Sequence, residues 1–204
     1  MKRIIIKGAP GSPYTRKMLS LLRYRRLPYN LIIGGLFDKG IMDTTYLPKS
    51  KVNLMPTFYF EDEDKKLEPM VDSTFILRRL EKLYSSRSVI PQNSTLKFLD
   101  YLLEDFADEW LTKATFHYRW TYDEDIKKAG ATLSRWKSLT YSEEQIKPIR
   151  DNISERQISR LYVVGSNKIT SNIIEGSYKN ILKLMDNHMN NSPYIFGERP
   201  SSSD

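Results

Sequence analysis

One stretch decides the fold of this chain: LMPTFYFEDEDKKLEPMVDSTFILRRLEKLY, residues 54–84. Two short apolar runs flank the charged residues 61–66, a pattern typical of a β-hairpin with a solvated tip. Asp72 and Ser73 follow where a helix N-cap belongs, ahead of apolar residues at helical spacing. The stretch therefore predicts a β-β-α unit. Pro56 directly precedes the first strand, where it cannot donate to a ladder, and is a candidate for a cis peptide bond.

The residues before this unit predict a β-α-β segment. The consecutive isoleucines at 4–6 suit a short strand buried on both faces. Ser12 and Pro13 have the form of the N-cap and first residue of a helix, and residues 29–33 predict a second strand. A less regular crossover, residues 37–53, leads to the hairpin. The N-terminal half is thus expected to be an α/β domain with the order βαβ-ββα.

The composition excludes several kinds of site. The chain has 204 residues and no cysteine, so disulfides, thiolate metal sites and a C-x-x-C redox motif are absent. The two histidines, His117 and His188, are far apart without ligand spacing, and we expect no metal site. The apolar run after Met1 is too short for a signal peptide, and no run approaches the ~20 residues of a membrane span. We therefore expect a soluble, cytoplasmic protein.

The formal charge of +7 raises the possibility of a nucleic-acid partner. The basic residues are dispersed, however, and only Arg23–Arg26 and Arg78–Arg79 are dense groups. We interpret these groups as solvated helix faces, with Arg23, Arg25 and Arg26 complementing the dipole at a helix C-terminus. An anionic ligand or an acidic surface is the more modest inference, and nucleic-acid binding is not expected.

The second half predicts an all-helical domain after a polar linker, residues 85–95. Apolar residues three or four apart predict a long amphipathic helix from about residue 96 to 120, with a core-facing stripe that comprises Leu96, Leu99, Leu103, Phe106 and Trp110. Further helices are predicted over residues 124–139 and 172–189. Capping boxes at Ser142 and Ser154 suggest two more helix starts, although Pro148 limits the first.

These features together resemble the glutathione S-transferase family of the cytosolic type, which has a thioredoxin-like N-terminal domain and an all-helical C-terminal domain. The resemblance implies a glutathione-binding domain at residues 1–84, a linker at 85–95 and a helical domain at 96–204. It implies glutathione as co-substrate, an apolar electrophile as second substrate, and a homodimer formed between the sheet domain of one copy and the helical domain of the other.

The resemblance also implies roles for individual residues. Met55 would present its backbone to the cysteinyl part of glutathione, Pro56 would be the cis proline, and Asp72 and Ser73 would hold the γ-glutamyl end. Ser12, in the family's catalytic loop, is the first candidate to stabilise the thiolate. The alternative for Ser12 is a plain helix cap.

Three further interpretations depend on the resemblance. Tyr14 is the second candidate for the thiolate, with a core-facing aromatic as its alternative. Aromatic residues around 110–122 suit either an electrophile pocket or helix packing. The ending Ser201–Asp204 looks like the capping box of a buried helix in the family, so we interpret the chain as truncated there. A non-catalytic ligand-binding or interaction module of the same fold remains the alternative function.

Overall fold

The computed structural model describes residues 3–33, 46–136 and 140–204, and the chain divides into two units. The first unit comprises Met1–Ser88 with Arg135–Thr140, and the second comprises Val89–Ser134 with Tyr141–Asp204. The first contains a four-stranded sheet and two helices, whereas the described residues of the second form helices and no strand. The predicted fold class, a thioredoxin-like α/β domain followed by a helical domain, is confirmed.

The first unit follows the predicted order. Its elements are β1 (Ile4–Gly8), α1 (Pro13–Tyr24), β2 (Tyr29–Ile33), β3 (Thr57–Glu61), β4 (Leu67–Met70) and α2 (Ser73–Leu83). The strands lie in the order β2-β1-β3-β4; β1 and β2 are parallel and the other pairs antiparallel. Of the predicted crossover, residues 37–45 lie outside the described residues, and residues 46–53 form neither helix nor strand.

Both helices of this unit begin at the predicted caps. The Oγ of Ser12 accepts a hydrogen bond from the Thr15 N–H at 3.3 Å, and Pro13 takes the first helical position, where its missing N–H costs nothing. The Asp72 carboxylate accepts from the N–H groups of Thr74 and Phe75 at 3.0 and 3.4 Å. Local hydrogen-bond chemistry therefore sets the start of α1 and of α2.

The sheet buries one face fully and the other in part. Ile6 lies opposite Phe58 in the β1–β3 register, and both are buried. On the other face Ile5 lies opposite Tyr59, which packs with Ile32 and Leu47. Ile5 itself is only half-buried, so the expectation of a β1 buried on both faces holds for one face alone.

Arg25 corrects the interpretation of the basic residues around it. Its guanidinium is fully buried, forms an ion pair with Glu81 at 2.7 Å, and donates to the backbone carbonyls of Tyr84 and Ser86. A buried charge is tolerated only when its donors are satisfied in this way. Arg25 thus joins the end of α1 to the end of α2 and is not a surface cation.

The second unit contains the helices that the spacing predicted, with different boundaries. They are α3 (Ser94–Phe106), a π-helical turn (Ala107–Leu111), α4 (Thr112–Thr121), α5 (Asp123–Ser134), α6 (Glu143–Ile158), a 3-10 turn (Leu161–Val164) and α7 (Ser171–Met189). The predicted long helix at 96–120 is thus two α-helices joined by the π-helical turn. Helix α5 stops at Ser134 and does not reach 139; residues 137–139 lie outside the described part of the chain.

Only one of the two predicted capping boxes starts a helix. Ser142 and Gln145 make both reciprocal hydrogen bonds at the start of α6. The prediction of a helix start at Ser154 is wrong, because α6 continues through Pro148 and Ser154 to Ile158. A Ser-x-x-Gln pattern caps a helix only where the preceding backbone leaves the helix, and here it does not. Gly165, with φ at +71°, follows the 3-10 turn at Leu161–Val164 as its C-cap.

The exposed and buried faces of α3 differ from the prediction. Leu99 and Trp110 are exposed, and the buried positions of α3 are Asp100 and Glu104. Asp100 is 0 % exposed, and its carboxylate accepts from the Ser202 hydroxyl at 2.6 Å and the Ser203 N–H at 2.9 Å. A carboxylate that receives such bonds can replace an apolar residue inside. The expected core-facing stripe is therefore wrong for these residues.

The two end residues of the predicted C-terminal capping box, Ser201 and Asp204, are hydrogen-bonded to each other. The N–H and the hydroxyl of Ser201 both donate to the Asp204 carboxylate, at 2.7 and 2.8 Å, and the other Asp204 oxygen accepts from the Ile195 N–H at 2.9 Å. Asp204 thus closes a local turn against residue 195.

Among the described residues, none of the helices combines the length and the apolar character that crossing a membrane requires.

Candidate functional site

The register of the sheet brings three connecting segments of the first unit together at one end of the sheet. Lys7, near the end of β1, lies opposite Thr57, the first residue of β3. Phe58 lies opposite Met70, the last residue of β4. The segments that follow β1, precede β3 and follow β4 therefore meet at the same end of the sheet. These segments, with the first turns of α1 and α2, contain the candidate residues Ser12, Tyr14, Met55, Pro56, Asp72 and Ser73.

Ser12 lies in the segment after β1, and its hydroxyl can both accept a hydrogen bond as a helix cap and donate one to an anion. Its residue is 8 % exposed, and its Oγ accepts from the Thr15 N–H as the cap of α1. A hydroxyl that accepts in this way still carries its own proton and can donate it. The cap and a donor role toward an anion are thus compatible, and the N-terminus of α1 adds a partial positive charge beside it.

The residues that follow Ser12 differ in their surroundings. Tyr14, in the first turn of α1, is half-buried. Thr15 is fully buried, and its Oγ1 has no hydrogen-bond partner among the described residues. A Cβ at Gly8 would lie 2.8 Å from that Oγ1, so glycine is needed at Gly8 for the helix to pack on the strand end. Thr15 was not among the candidates, and the sequence pattern around it gives no signal for it.

The Met55–Pro56 peptide bond, directly before β3, is cis. Pro56 is buried and Met55 half-buried. The hydroxyl of Thr57 donates to the Leu54 carbonyl at 2.8 Å and closes the turn around the proline. The backbone of Met55 consequently lies just before the end of the sheet where β3 begins and β1 ends.

Asp72 has a backbone conformation that L-residues rarely adopt, with φ at +77° and ψ at 111°. Such conformations cost about 1–3 kcal/mol and persist where the surrounding structure holds them, often at ligand sites. Beside it, Ser73 is 6 % exposed at the first position of α2. The Nζ of Lys17, on α1, lies 3.5 Å from the Ser73 Oγ. Lys17 was not among the sequence candidates, because the proximity of α1 to α2 is not local.

Trp136 is a second residue of the first unit that the sequence analysis placed differently. It was expected inside a helix, but α5 ends before it and its indole lies against Gly11. A Cβ at Gly11 would lie 2.1 Å from the indole Cζ2, too close for any side chain. An apolar ring therefore covers the loop that presents Ser12.

The aromatic residues at 110–122 do not share one environment. Trp120 is buried, and Trp110 is exposed with the Lys113 ammonium 3.9 Å from its ring centroid. Tyr118 stacks on Tyr122 and contacts Tyr178 of α7. Packing within the second unit accounts for Trp120 and Tyr118, and the electrophile pocket stays a prediction.

A polar cluster surrounds His117 in the second unit. Its Nδ1 lies 2.7 Å from the Ser166 Oγ, and its Nε2 lies 3.4 Å from a Glu175 oxygen that also accepts from the Tyr122 hydroxyl. The bond from Tyr122, with help from His117, holds the pKa of Glu175 below its usual value, and the same bond raises the pKa of Tyr122.

No group of three or more His, Asp or Glu side chains among the described residues is placed to bind a metal ion. His188, the other histidine, lies 2.9 Å through its Nε2 from the carbonyl of Ile195.

The family of the first unit follows from its sequence. Residues 7–88 match the family model described as the glutathione S-transferase N-terminal domain. This stretch belongs to that family. None of the curated protein sequences compared with the chain is similar enough to count as a match.

Solved structures of a beta-etherase and of glutathione S-transferases show the same fold. A beta-etherase, LigF, from Sphingobium sp. strain SYK-6 has a TM-score of 0.63 at 14 % identity, over 99 % of this chain and 79 % of that one. A glutathione S-transferase from Rhodospirillum rubrum F11 has a TM-score of 0.58 at 14 % identity, over 98 % of this chain and 72 % of that one.

A third structure is that of a glutathione transferase family member from Pseudomonas fluorescens with two glutathione molecules bound. It has a TM-score of 0.56 at 16 % identity, over 99 % of this chain and 72 % of that one. At these identities the similarity establishes a shared fold.

Proposed function

We propose that this protein binds glutathione at the sheet edge of its first unit and uses the glutathione thiol as a nucleophile toward an apolar electrophile. The observation that carries the proposal is the meeting of Ser12, the cis Met55–Pro56 turn and Asp72–Ser73 at one end of the sheet, within the stretch that matches the glutathione S-transferase domain. The structure of the similar protein from P. fluorescens with glutathione bound supports it.

The residues at this edge suit the charges of the tripeptide. Its γ-glutamyl end carries a carboxylate and an ammonium group. The N-terminus of α2 and the Ser73 hydroxyl are donors for the carboxylate. The Asp72 carboxylate can accept from the ammonium group. The Met55 backbone would pair with the cysteinyl backbone. The strained backbone of Asp72 at the same end of the sheet is of the kind that is often found at ligand sites.

The chemistry required of the chain is small. Bound glutathione supplies the sulfur, which forms a bond to the electrophilic carbon while the leaving group departs with its electron pair. For a thiol with the ordinary pKa of ~8.5 to be mostly ionised at neutral pH, its pKa must fall by about one to two units, or roughly 1.4–2.8 kcal/mol. A hydrogen bond from Ser12 and the N-terminus of α1 together contribute an effect of that size. The Trp136 indole over the Ser12 loop offers an apolar surface for the second substrate.

We also propose a homodimer. Exposed apolar residues lie on the outer part of α3, where Phe98, Tyr101 and Leu102 are 65, 52 and 49 % exposed. Large exposed apolar groups on one helix are typical of a surface that another chain covers.

Calorimetric titration of the full chain with glutathione tests the main proposal. Asp72→Asn keeps an acceptor for the cap of α2 and removes the charge, so we expect glutathione affinity to fall about tenfold or more while the fold is retained. Asn93 caps α3 in the same way, through its side-chain oxygen. Asn93→Asp, the matched control, should leave affinity unchanged.

No detectable glutathione binding to the folded wild type would overturn the proposal. Binding without turnover of an aryl halide would instead favour a non-catalytic ligand-binding module of the same fold.

A further inference from the structure

The connection between α6 and α7 exposes large apolar side chains to solvent. The exposed fractions of four such residues range from 57 to 86 %, and these residues are Tyr162, Val163, Ile169 and Ile173. Ile169, at 86 %, is more exposed than any other large apolar residue in the part of the chain that the structure describes. Apolar surface that protrudes in this way is unfavourable in water, and a concentration of it typically marks a surface that binds something.

Hydrogen bonds give this connection a defined shape. The Asn167 side chain accepts from the N–H groups of Ile169 and Thr170 at 2.8 and 3.1 Å. The Thr170 hydroxyl donates to the Gly165 carbonyl at 2.6 Å. Between these residues, Ser166 is buried in the second unit. The exposed side chains therefore extend from a preformed turn, and little conformational entropy is lost when such a turn binds.

The same stretch carries only positive charge. Residues 156–174, from the last turn of α6 to the first turn of α7, contain Arg156, Arg160 and Lys168 and neither aspartate nor glutamate. All three cations are exposed. Glu175, the next acid along the chain, belongs to the polar cluster around His117. Exposed apolar groups among cations are complementary to a surface that is negatively charged and can also take up apolar side chains.

We propose that residues 156–174 attach the protein to the surface of an anionic lipid bilayer. Ile169 and Tyr162 would enter the boundary between the head groups and the acyl chains, where the apolar ring and polar hydroxyl of a tyrosine are both accommodated. Arg160 and Lys168 would lie among the anionic head groups. Such attachment lies in the plane of the bilayer surface and requires no membrane-spanning helix.

The shape and charge of this surface favour a bilayer over a protein. A protein partner must offer a complementary pocket for a side chain that protrudes as far as Ile169, whereas mobile lipids close around it. A second copy of the chain is disfavoured by charge. In a symmetric pair the same surface meets itself, so the cations of one copy would lie against those of the other.

Co-sedimentation of the full chain with lipid vesicles tests the proposal. The vesicles contain phosphatidylcholine alone or phosphatidylcholine with about 30 % phosphatidylserine. Wild type should bind the mixed vesicles at least about 10-fold more strongly than the neutral ones. A rise in salt from about 0.05 M to about 0.5 M should weaken this binding, because salt screens the charge of the head groups.

The cations are tested by a double variant, Arg160→Gln with Lys168→Gln. Binding to mixed vesicles should fall about 10-fold to 30-fold, since each cation close to such a surface contributes about fivefold. The matched control is Lys127→Gln with Lys147→Gln, which neutralises two exposed lysines outside residues 156–174. Both combinations lower the formal net charge of +7 by two. The control should change binding by less than about threefold, because its lysines are not at the proposed contact.

The apolar contribution is tested by Ile169→Ser. This change keeps the backbone N–H that bonds to Asn167 and should weaken binding to mixed vesicles about 5-fold to 30-fold, because less apolar surface is buried. Leu184→Ser on α7 removes an apolar side chain of similar size that is 63 % exposed and lies outside residues 156–174. It should change binding by less than about twofold. Thermal unfolding of every variant checks that the fold is retained.

Several outcomes would overturn the proposal. One is a folded wild type that binds neither vesicle, or binds both equally. Another is an equal loss in the two double variants, which would assign the binding to net charge alone. Dissociation of a wild-type dimer by Ile169→Ser in sedimentation velocity, without vesicle binding, would instead assign this surface to a contact between copies. None of these outcomes depends on whether the protein binds glutathione.

Discussion

The Nδ1 of His117 lies 2.7 Å from the Oγ of Ser166, and both residues are buried. The histidine belongs to α4 and the serine follows the 3-10 turn at Leu161–Val164. Through its other nitrogen, His117 also reaches Glu175 on α7. One imidazole therefore joins three segments of the second unit, and the polar cluster is a structural element outside the proposed glutathione site.

The first prediction concerns the acid stability of this cluster. The folded state lowers the pKa of Glu175 from its usual 4.5, chiefly through the Tyr122 hydroxyl. The unfolded chain therefore takes up the proton at a higher pH than the folded chain. The stabilising contribution is present above pH 4.5 and is lost as the pH falls through the lowered pKa. We expect Glu175→Gln to be less stable than wild type near neutral pH, with a difference that shrinks in acid.

Urea unfolding between about pH 7 and about pH 3 measures this difference. Glu198, an exposed carboxyl, provides the control, and Glu198→Gln should show no comparable pH-dependent difference. A Glu175→Gln difference that stays constant across the range would contradict the prediction.

The second prediction separates the two functions of Ser12. Ser12→Ala and Ser142→Ala each remove a side-chain cap from a helix, so each should lower stability by about 0.5–2 kcal/mol. Only Ser12→Ala should also raise the pKa of the bound glutathione thiol, by roughly one unit. The ultraviolet absorbance of the thiolate, followed against pH, measures this value.

Tyr14→Phe tests the second candidate for the thiolate in the same titration, and we expect it to leave the thiol pKa unchanged. A thiol pKa that is identical in wild type and Ser12→Ala would show that Ser12 acts only as a helix cap.

The third prediction compares two buried threonines of the first unit. The Thr15 Oγ1 has no hydrogen-bond partner among the described residues, so Thr15→Val should be neutral or slightly stabilising. The Thr57 hydroxyl donates to the Leu54 carbonyl at 2.8 Å, so Thr57→Val should cost about 1–3 kcal/mol. Denaturant unfolding of both variants measures the contrast. Equal losses for the two substitutions would show that the Thr15 hydroxyl has a stabilising partner after all.

The fourth prediction tests the proposed homodimer. The side chains of Leu102 on α3 and Leu184 on α7 are 49 and 63 % exposed. A glutamate at either position should therefore leave the core undisturbed. Leu102→Glu should shift the chain to monomer in sedimentation velocity, because a charge in an apolar interface loses its hydration. Leu184→Glu should leave the dimer intact. A monomeric wild type, or dissociation by both variants, would overturn the α3 interface.

Local chemistry in the sequence was enough to predict the order of elements in the first unit. The caps at Ser12 and Asp72 and the hairpin that begins at Thr57 each depend on residues within a few positions of one another. The candidate residues Ser12, Met55, Pro56, Asp72 and Ser73 all lie on such local signals, and the register of the sheet brings them to one edge. Their roles toward glutathione stay predictions until binding is measured.

The tertiary structure decided which faces are buried and which distant groups meet. Helical spacing identified α3 as amphipathic, but the side that is covered depends on packing partners elsewhere in the chain. Asp100 is buried because Ser202 and Ser203, about one hundred residues later, donate to its carboxylate. Arg25 beside Glu81 and Lys17 beside Ser73 depend in the same way on the packing of two helices. Periodicity reports local backbone preference, whereas the energetic balance of a buried charge is set by partners that only the folded chain brings together.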